Sequence, residues 1–208
     1  MAVAEPIRSR RVLLGPASAG VPLTPRQFDS ADYEEGWRYE LINGVLVVSP
    51  IPSLAERDPN EELGHLLRSY QESHPQGSSL DLTVAEHMVI TRRQRRRADR
   101  LLWAGLGRAP HPDEKPTVVV EWVSKGKRSH LRDFEEKRRE YQELRIAEYW
   151  LFNRFVRTLT VFALVGGRYR KRVLGEHDTY RTPLLPGFEV PIGRLLRLAN
   201  RWKDEGDD

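Results

Sequence analysis

The clearest hydrophobic pattern in this chain is a short apolar run that contains a single carboxylate. Residues 118–123 read VVVEWV and are bounded by Pro116 before them and Ser124 after them. An uninterrupted run rich in β-branched residues is typical of a strand that is buried on both faces. Glu121 lies inside this run and needs compensation, because an unpaired buried charge loses its hydration. A cation, a hydrogen-bond network or a metal ion would each provide it.

The rest of the chain alternates between patterns typical of strands and of helices. Thr24-Pro25 predicts a short helix to about Ser30, and Asn43-Gly44 between two apolar runs predicts a β-hairpin. Asp58-Pro59 predicts the start of a long helix with one apolar face. Further strands are predicted at 80–90, 101–103, 148–152, 158–164 and 169–174, and helices at 130–144 and 192–202. This alternation predicts a mixed α/β fold.

The predicted organisation is one domain with polar ends. Residues 1–22 lack a hydrophobic period and are expected to form a flexible N-terminal arm. Residues 23–198 are expected to form the domain, and residues 199–208 a polar C-terminal tail. No apolar run approaches the ~20 residues that a membrane-spanning helix needs, so no membrane partner is predicted.

Composition excludes some chemistry and permits one class of partner. The 208 residues include no cysteine, which excludes disulfides, thiolate zinc sites and cysteine nucleophiles and is compatible with a cytoplasmic location. The formal net charge is +4 and the isoelectric point about 9.5. This mild basicity permits a polyanionic partner without requiring one.

Two carboxylates are predicted at one end of the sheet. Asp99 precedes the apolar segment 101–103, and Glu121 lies near the end of its own strand. If these strands are antiparallel neighbours joined by the loop 105–116, the two carboxylates lie together. Magnesium typically takes one or two carboxylates plus water and a phosphate. The backbone carbonyl of Trp122 would supply a further oxygen.

A lysine interrupts the apolar stripe of the helix after this strand. Positions 134, 137, 141 and 144 share one helical face, and Phe134, Tyr141 and Leu144 are apolar there, but Lys137 is charged. A lysine directed at the carboxylates would hold an attacking water or stabilise a charged transition state. The structural alternative is a lysine that extends along the surface or pairs with Asp133.

Glu40 has a more ambiguous position. Strand geometry places it on one face of the predicted hairpin with Arg38 and Ile42. A salt bridge between strands is the more frequent fate of such a glutamate.

A run of five arginines directly precedes Asp99. These are Arg92, Arg93, Arg95, Arg96 and Arg97. Such a run is commonly a solvated turn, but beside an acidic metal site it would also suit a phosphodiester backbone. In the second interpretation Lys125 and Lys127 join the nucleic-acid-binding set.

Several motifs together resemble the Uma-type restriction-endonuclease family of the PD-(D/E)XK nuclease superfamily. They are Leu23-Thr24-Pro25, the segment RYELING at 38–44, Ala98-Asp99, VEWVS at 120–124, Asp133 to Lys137, EYW at 148–150 and LLPGF at 184–188. Each is short, but their order and spacing are specific together. The resemblance spans about residues 23–196 and implies a restriction-endonuclease-like core: a mixed sheet flanked by helices, with N-terminal and C-terminal hairpins.

The resemblance also implies a site that depends on Mg²⁺ or Mn²⁺. Glu40, Asp99 and Glu121 match the acidic positions, with Glu40 acting directly or through water. Val123 stands where the superfamily usually has a lysine, and the lysine on the following helix matches Lys137. Ala98 replaces the usual motif proline, and Ser124-Lys125-Gly126-Lys127 replaces the usual Ser-Pro-Ser-Thr.

Three hypotheses follow from the sequence. The first is a metal-dependent endonuclease that hydrolyses DNA and that could act as a homodimer. The second is a nuclease-fold module without turnover that binds nucleic acid or a protein partner, which the Ala98 and Val123 departures would suit. The third is a purely structural ion pair between Glu121 and Lys137.

Overall fold

The computed structural model describes residues 12–124 and 132–202, and for Arg132 and Asp133 it describes the backbone alone. The chain forms two compact units. The first comprises the described residues up to Ile51 together with Ile90–Arg97, and the second comprises Pro52–Val89 and the described residues from Ala98 onward. The expectation of one domain over residues 23–198 stays a prediction. Within the described ranges no helix is long and apolar enough to cross a membrane.

The first unit is built around a β-hairpin. Its elements are β1 (Leu13–Leu14), α1 (Pro25–Ser30), β2 (Asp32–Tyr33), β3 (Trp37–Ile42) and β4 (Val45–Pro50). β3 and β4 pair antiparallel, and β1 and β2 pair parallel. The predicted turn and helix are both confirmed. Asn43 and Gly44 have φ values of 51° and 78°, and Thr24 Oγ1 accepts the backbone N–H of Gln27 at 3.2 Å.

The second unit contains most of the strands and the longest helix. Its elements are α2 (Leu54–Ser73), β5 (Leu80–Ile90, whose last residue belongs to the first unit), β7 (Val118–Trp122), α3 (Arg138–Glu143), β8 (Glu148–Asn153), β9 (Thr158–Val165), β10 (Arg168–Gly175), β11 (Thr179–Arg181), β12 (Glu189–Pro191) and α4 (Ile192–Arg201). Strand β6 (Arg95–Ala104) begins in the first unit and continues in the second. A π-helix, Arg132–Lys137, leads directly into α3.

The predicted mixed sheet is confirmed in this second unit. Its strands follow the order β10-β9-β8-β7-β6, and β5 also pairs with β6. Pairing is antiparallel between β6 and β7, β8 and β9, and β9 and β10, whereas β7 and β8 are parallel. Parallel neighbours require a crossover connection, and the segment that contains α3 forms it. The predicted C-terminal hairpin is β9–β10, and it turns at Gly166 and Gly167.

Alternate residues of β7 point into two different cores, as expected for a strand buried on both faces. Val118, Val120 and Trp122 share a core with Leu63 and Leu67 of α2 and Leu195 and Leu196 of α4. Val119 and Val123 share the other core with Tyr141 of α3. Glu121 therefore lies on the sheet face that α3 covers, and the side chains of Lys137 and Tyr141 approach that face from the helical segment.

Three boundary predictions are corrected by the structure. Helix α2 begins at Leu54 instead of at Asp58-Pro59, because Glu56 Oε2 accepts the N–H of Ser53 at 2.8 Å and caps the earlier start. Pro59 lies inside this helix. Residues 12–22, expected in a flexible arm, contain β1 and a 3₁₀ turn at Pro16–Ser18, because β1 pairs with β2. Residues 199–201, assigned to the polar tail, complete α4 with Ala199 buried, in agreement with the helix predicted at 192–202.

Candidate functional site

Asp99 and Glu121 meet across the β6–β7 pair. Arg100 lies opposite Val120 in this antiparallel ladder, and the same register continued by one residue sets Asp99 opposite Glu121. Directly opposite side chains share a face of the sheet, with Cβ atoms about 4.5–5.5 Å apart. Both residues are buried, with 5% of Asp99 and 2% of Glu121 exposed. The predicted strand pairing is thus confirmed, and it brings the two carboxylates together.

Lys137 completes a buried charged cluster with Glu121. The Lys137 ammonium Nζ lies 2.8 Å from Glu121 Oε1, and the Tyr141 hydroxyl donates to the same oxygen at 3.1 Å. Only 3% of Lys137 is exposed, which confirms its predicted place in the inward stripe with Tyr141. Lys137 ends the π-helix, and π-helical turns occur frequently at functional sites because they redirect one side chain.

The carboxylate of Asp99 is held against the backbone of β7. The N–H of Trp122 donates to Asp99 Oδ2 at 2.7 Å, a bond that fixes the carboxylate beside the residue after Glu121. Asn60 of α2 holds the other side of the same strand, since its amide Nδ2 donates to the backbone carbonyl of Asp99 at 2.8 Å. The main chain and side chain of Asp99 therefore have separate anchors.

Arg100 connects α2 to the strand that carries Asp99. Its Nε donates to Asn60 Oδ1 at 3.0 Å, and its Nη2 donates to the Asn60 carbonyl at 2.8 Å. Its Nη1 donates to Thr83 Oγ1 of β5 at 3.2 Å. Burial lowers the pKa of the Arg100 guanidinium, and the carboxylate of Glu61 partly offsets that effect. We call Asn60, Arg100 and Thr83 the Arg100 clamp.

The Arg100 clamp did not emerge from the sequence, although one signal pointed to it. Asn60 precedes Leu63 by three residues and Leu67 by seven, so it lies on the apolar face of α2. A buried polar residue in such a stripe requires a hydrogen-bond partner. The start predicted for α2 at Asp58 is later than the observed start at Leu54 and would place Asn60 in the first helical turn.

Glu40 belongs to the first unit and is also buried. Its Oε1 accepts the backbone N–H of Arg97 at 3.1 Å, and in the β3–β4 ladder it lies opposite Val47. The membership of Glu40 in the acidic site stays a prediction.

The arginine run divides into exposed and buried parts, so the first of its two interpretations, a single solvated turn, is wrong for residues 95–97. Arg92 and Arg93 are exposed, whereas Arg95–Arg97 begin strand β6. Arg95 and Arg96 are buried, and Arg95 Nη2 pairs with Asp29 Oδ2 at 2.6 Å. The binding of nucleic acid by the arginine run stays a prediction, and only Arg92 and Arg93 of the run are exposed. Lys125 and Lys127 lie outside the described residues.

The oxygen atoms of this cluster fit a magnesium site in which the protein provides only a few of the ligands. Among the described residues no group of three or more histidine, aspartate or glutamate side chains is arranged to hold a metal ion. Asp99 and Glu121 supply two carboxylates, which is the number that magnesium commonly takes from a protein while it keeps several waters. The Trp122 carbonyl belongs to the residue whose N–H already contacts Asp99. Zinc is a poorer fit, because it favours nitrogen and sulfur ligands.

Comparison with known proteins identifies the class of this fold and then its family. A protein from Anabaena variabilis, described as "a putative nuclease belonging to DUF820", has a crystal structure similar to this one, with a TM-score of 0.67 and 13% sequence identity. The similarity covers 86% of this chain and 99% of that one. At this identity the similarity shows a shared fold alone.

The family itself is shown by a match over most of the chain. Residues 25–193 match the model of the Uma2 family, whose description is "Putative restriction endonuclease". The chain therefore belongs to the Uma2 family, which confirms the resemblance found in the sequence. No curated protein matches it.

Proposed function

We propose that this protein is a metal-dependent endonuclease that hydrolyses phosphodiester bonds in DNA with Mg²⁺ or Mn²⁺. The observation that carries the proposal is the buried cluster of Asp99, Glu121 and Lys137, which lies near the end of β7 and beside the middle of β6. Burying three charged side chains together is costly, and a hydrophobic set of similar volume is often at least as stable. Membership in the Uma2 family supports a catalytic reason for keeping them.

The residues divide the work by their chemistry. Asp99 and Glu121 would hold the metal ion, and the Trp122 carbonyl would provide a third oxygen. Magnesium bound there would offset the charge that develops on the phosphate and lower the pKa of a nearby water. The ammonium of Lys137 would donate a hydrogen bond to the attacking water and stabilise negative charge on the phosphate. Water would add to phosphorus and give up one proton as the bond to one bridging oxygen breaks, and the departing oxygen would gain a proton in exchange.

The position of the catalytic cation follows from two residues. Val123 occupies the usual lysine position and is buried in the core that contains Tyr141 of α3, so the side chain at that position provides no charge. Lys137 brings an ammonium from the helix to the same carboxylate, at 2.8 Å. Glu40 would assist through the metal or a bridging water, and Arg92 and Arg93 would contact the phosphate backbone.

One observation favours a second function, a nuclease-fold module without turnover. The Lys137 ammonium and the Tyr141 hydroxyl both contact Glu121 Oε1, so the carboxylate is satisfied without a metal ion. Such a module would bind nucleic acid or a protein partner, and the acidic residues would then be dispensable for binding.

A cleavage panel distinguishes these functions. Supercoiled plasmid, single-stranded DNA and RNA are each incubated with the protein in Mg²⁺, Mn²⁺ or EDTA. Asp99→Asn removes a metal-ligand charge at constant shape, and Glu148→Gln is the matched control, because Glu148 is a buried glutamate of β8 that lies opposite Val118, away from Glu121. The proposal expects DNA cleavage that requires metal, survives Glu148→Gln and is lost in Asp99→Asn. Binding without cleavage in every metal, unaffected by Asp99→Asn, would establish the silent module.

A further inference from the structure

A cleft opens on the sheet face that carries Glu121. Its volume is about 660 Å³, within the range of small-molecule sites, and ten residues line it. Val123 and Ser124 at the end of β7 form one side, and the hairpin strands β9 and β10 form the floor through Thr158, Thr160 and Val173. The remaining lining residues are Phe134, Asn153, Phe155, Val156 and Lys171.

The strand register measures how far this cleft lies from the acidic cluster. Glu121 pairs with Leu151 of β8, Leu151 pairs with Thr160 of β9, and Thr160 pairs with Val173 of β10. Thr160 is therefore two strands from Glu121 in the same row, at about 10 Å, since neighbouring strands are about 4.8 Å apart. A nucleotide next to the one whose phosphate lies at Glu121 would reach this distance.

An aromatic ring stands at the edge of the cleft in an exposed but fixed position. Phe155 is 43% exposed and Val156 is 64% exposed, in the turn between β8 and β9. Asn153 fixes this turn, because its Oδ1 accepts the backbone N–H of Phe155 at 3.0 Å and that of Val156 at 3.3 Å. An exposed aromatic ring on a turn fixed in this way suits a stacking platform better than a folding core.

Two cations lie beside aromatic rings that line the cleft, and one carboxylate, that of Glu56, accepts the hydroxyl of the lining residue Ser124. The guanidinium of Arg154 lies 4.4 Å from the ring centroid of Phe155, and Nζ of Lys171 lies 5.8 Å from that of Phe134. No carboxylate is among the lining residues that the structure describes. Aromatic rings beside arginine or lysine are the common means of binding unpaired bases together with their phosphates.

We infer that this cleft binds an unpaired nucleobase of the nucleic-acid substrate, stacked on Phe155, with the adjoining phosphate near Lys171. The inference rests on the proposed nuclease function and deepens it. It assigns the substrate to nucleic acid that is single-stranded, or locally unpaired, within a nucleotide or two of the scissile phosphate. Unpaired bases expose their faces for stacking, which a base inside a duplex does not do.

The test uses a short single-stranded DNA with one 2-aminopurine, a base whose fluorescence is quenched by stacking. Binding is measured in EDTA, where metal-dependent cleavage does not occur. The wild type should bind and change the fluorescence, whereas Phe155→Ala should bind at least about fivefold more weakly and leave the fluorescence of the remaining complex unquenched. Phe155→Trp should retain both signals. Trp37→Ala is the matched control, since Trp37 is an exposed aromatic residue of the first unit, 40% exposed.

Lys171→Ala provides a second readout that does not depend on stacking. It should lower the slope of log affinity against log salt concentration by about one phosphate contact. Equal affinity and equal quenching in Phe155→Ala and Trp37→Ala would overturn the inference, as would a wild type that binds duplex but no single strand.

Cleavage in Mg²⁺ separates this inference from the proposed function. If the wild type quenches 2-aminopurine through Phe155 and cleaves nothing in any metal, the cleft site stands and the nuclease proposal fails. If DNA is cleaved and Phe155→Ala changes neither cleavage nor fluorescence, the nuclease proposal stands and the cleft site fails.

Discussion

The ammonium of Lys137 lies 2.8 Å from the carboxylate of Glu121, and both side chains are almost completely buried. A structural role and a catalytic role of this pair lead to different predictions. As a structural element it need only hold α3 against β7. As a catalytic element it must also release part of the carboxylate to a metal ion and direct the ammonium at a water.

Breaking the pair from one side should destabilise the fold strongly. Lys137→Met leaves the Glu121 carboxylate buried without its cation, which should lower the free energy of unfolding by about 3–5 kcal/mol. Urea denaturation in EDTA measures this loss. The double variant Lys137→Met/Glu121→Gln removes both charges and should recover most of it. If the double variant is no more stable than Lys137→Met, the cost arises from lost packing and not from the charge.

Metal binding should stabilise the folded protein through the two carboxylates. Magnesium or manganese at 100 times its Kd should add about 2.7 kcal/mol to the free energy of unfolding. Asp99→Asn should lose this increment, because it removes one of the two charges that the ion would meet. Glu148→Gln should keep it. Thermal unfolding across a metal titration provides the measurement, and an increment that persists in Asp99→Asn would place the metal elsewhere.

Gly64 should be intolerant of alanine, against the usual trend in helices. Alanine in place of glycine inside a helix normally stabilises by about 0.5–1 kcal/mol. A Cβ at Gly64 would lie 2.4 Å from Nη2 of Arg100, a guanidinium held by the Arg100 clamp, so we expect a loss of about 1–3 kcal/mol. In an Arg100→Ala background the same substitution should become stabilising. Chemical denaturation of the wild type, the two single variants and the double variant measures whether each substitution raises or lowers the free energy of unfolding. If Gly64→Ala stabilises the wild type, the Arg100 clamp adjusts to the added methyl group.

Glu148 should make stability depend on pH. Burial raises the pKa of its carboxyl, and hydrogen bonds from Trp150 Nε1 at 2.7 Å and Thr182 Oγ1 at 3.0 Å partly offset this. A carboxyl with a raised folded-state pKa favours folding below its unfolded pKa of about 4, and this advantage is lost as pH rises through the folded pKa. Glu148→Gln should therefore gain stability relative to the wild type as the pH rises above about 4. Urea midpoints across a pH series test it, and a constant difference would contradict it.

The sequence predicted the positions of Asp99, Glu121 and Lys137 because these residues follow simple periodicities. The strand run around Glu121, the loop 105–116 and the helical stripe through Lys137 are local patterns, and antiparallel pairing of β6 with β7 then brings Asp99 beside Glu121. The Asn43-Gly44 turn is local in the same way. Each pattern encodes its own geometry within about ten residues.

The misses share a different cause, which is partnership over long sequence separations. Arg95 is buried because Asp29 pairs with it, and Leu13–Leu14 form a strand because Asp32–Tyr33 offers an edge. The Arg100 clamp joins α2 to β6 and β5, and its Asn60 also holds the backbone carbonyl of Asp99. Apart from the position of Asn60 on the apolar face of α2, these partners have no local signature, so the burial of the charged groups is visible only in three dimensions.

The most direct test of the account is single-turnover cleavage of DNA in Mg²⁺ by Lys137→Met. The account predicts that the variant, checked by circular dichroism to be folded in Mg²⁺, still gains stability from the metal but cleaves about 10²–10³-fold more slowly than the wild type, because it lacks one positioned donor. Cleavage at the wild-type rate would contradict it and leave Lys137 as a structural partner of Glu121.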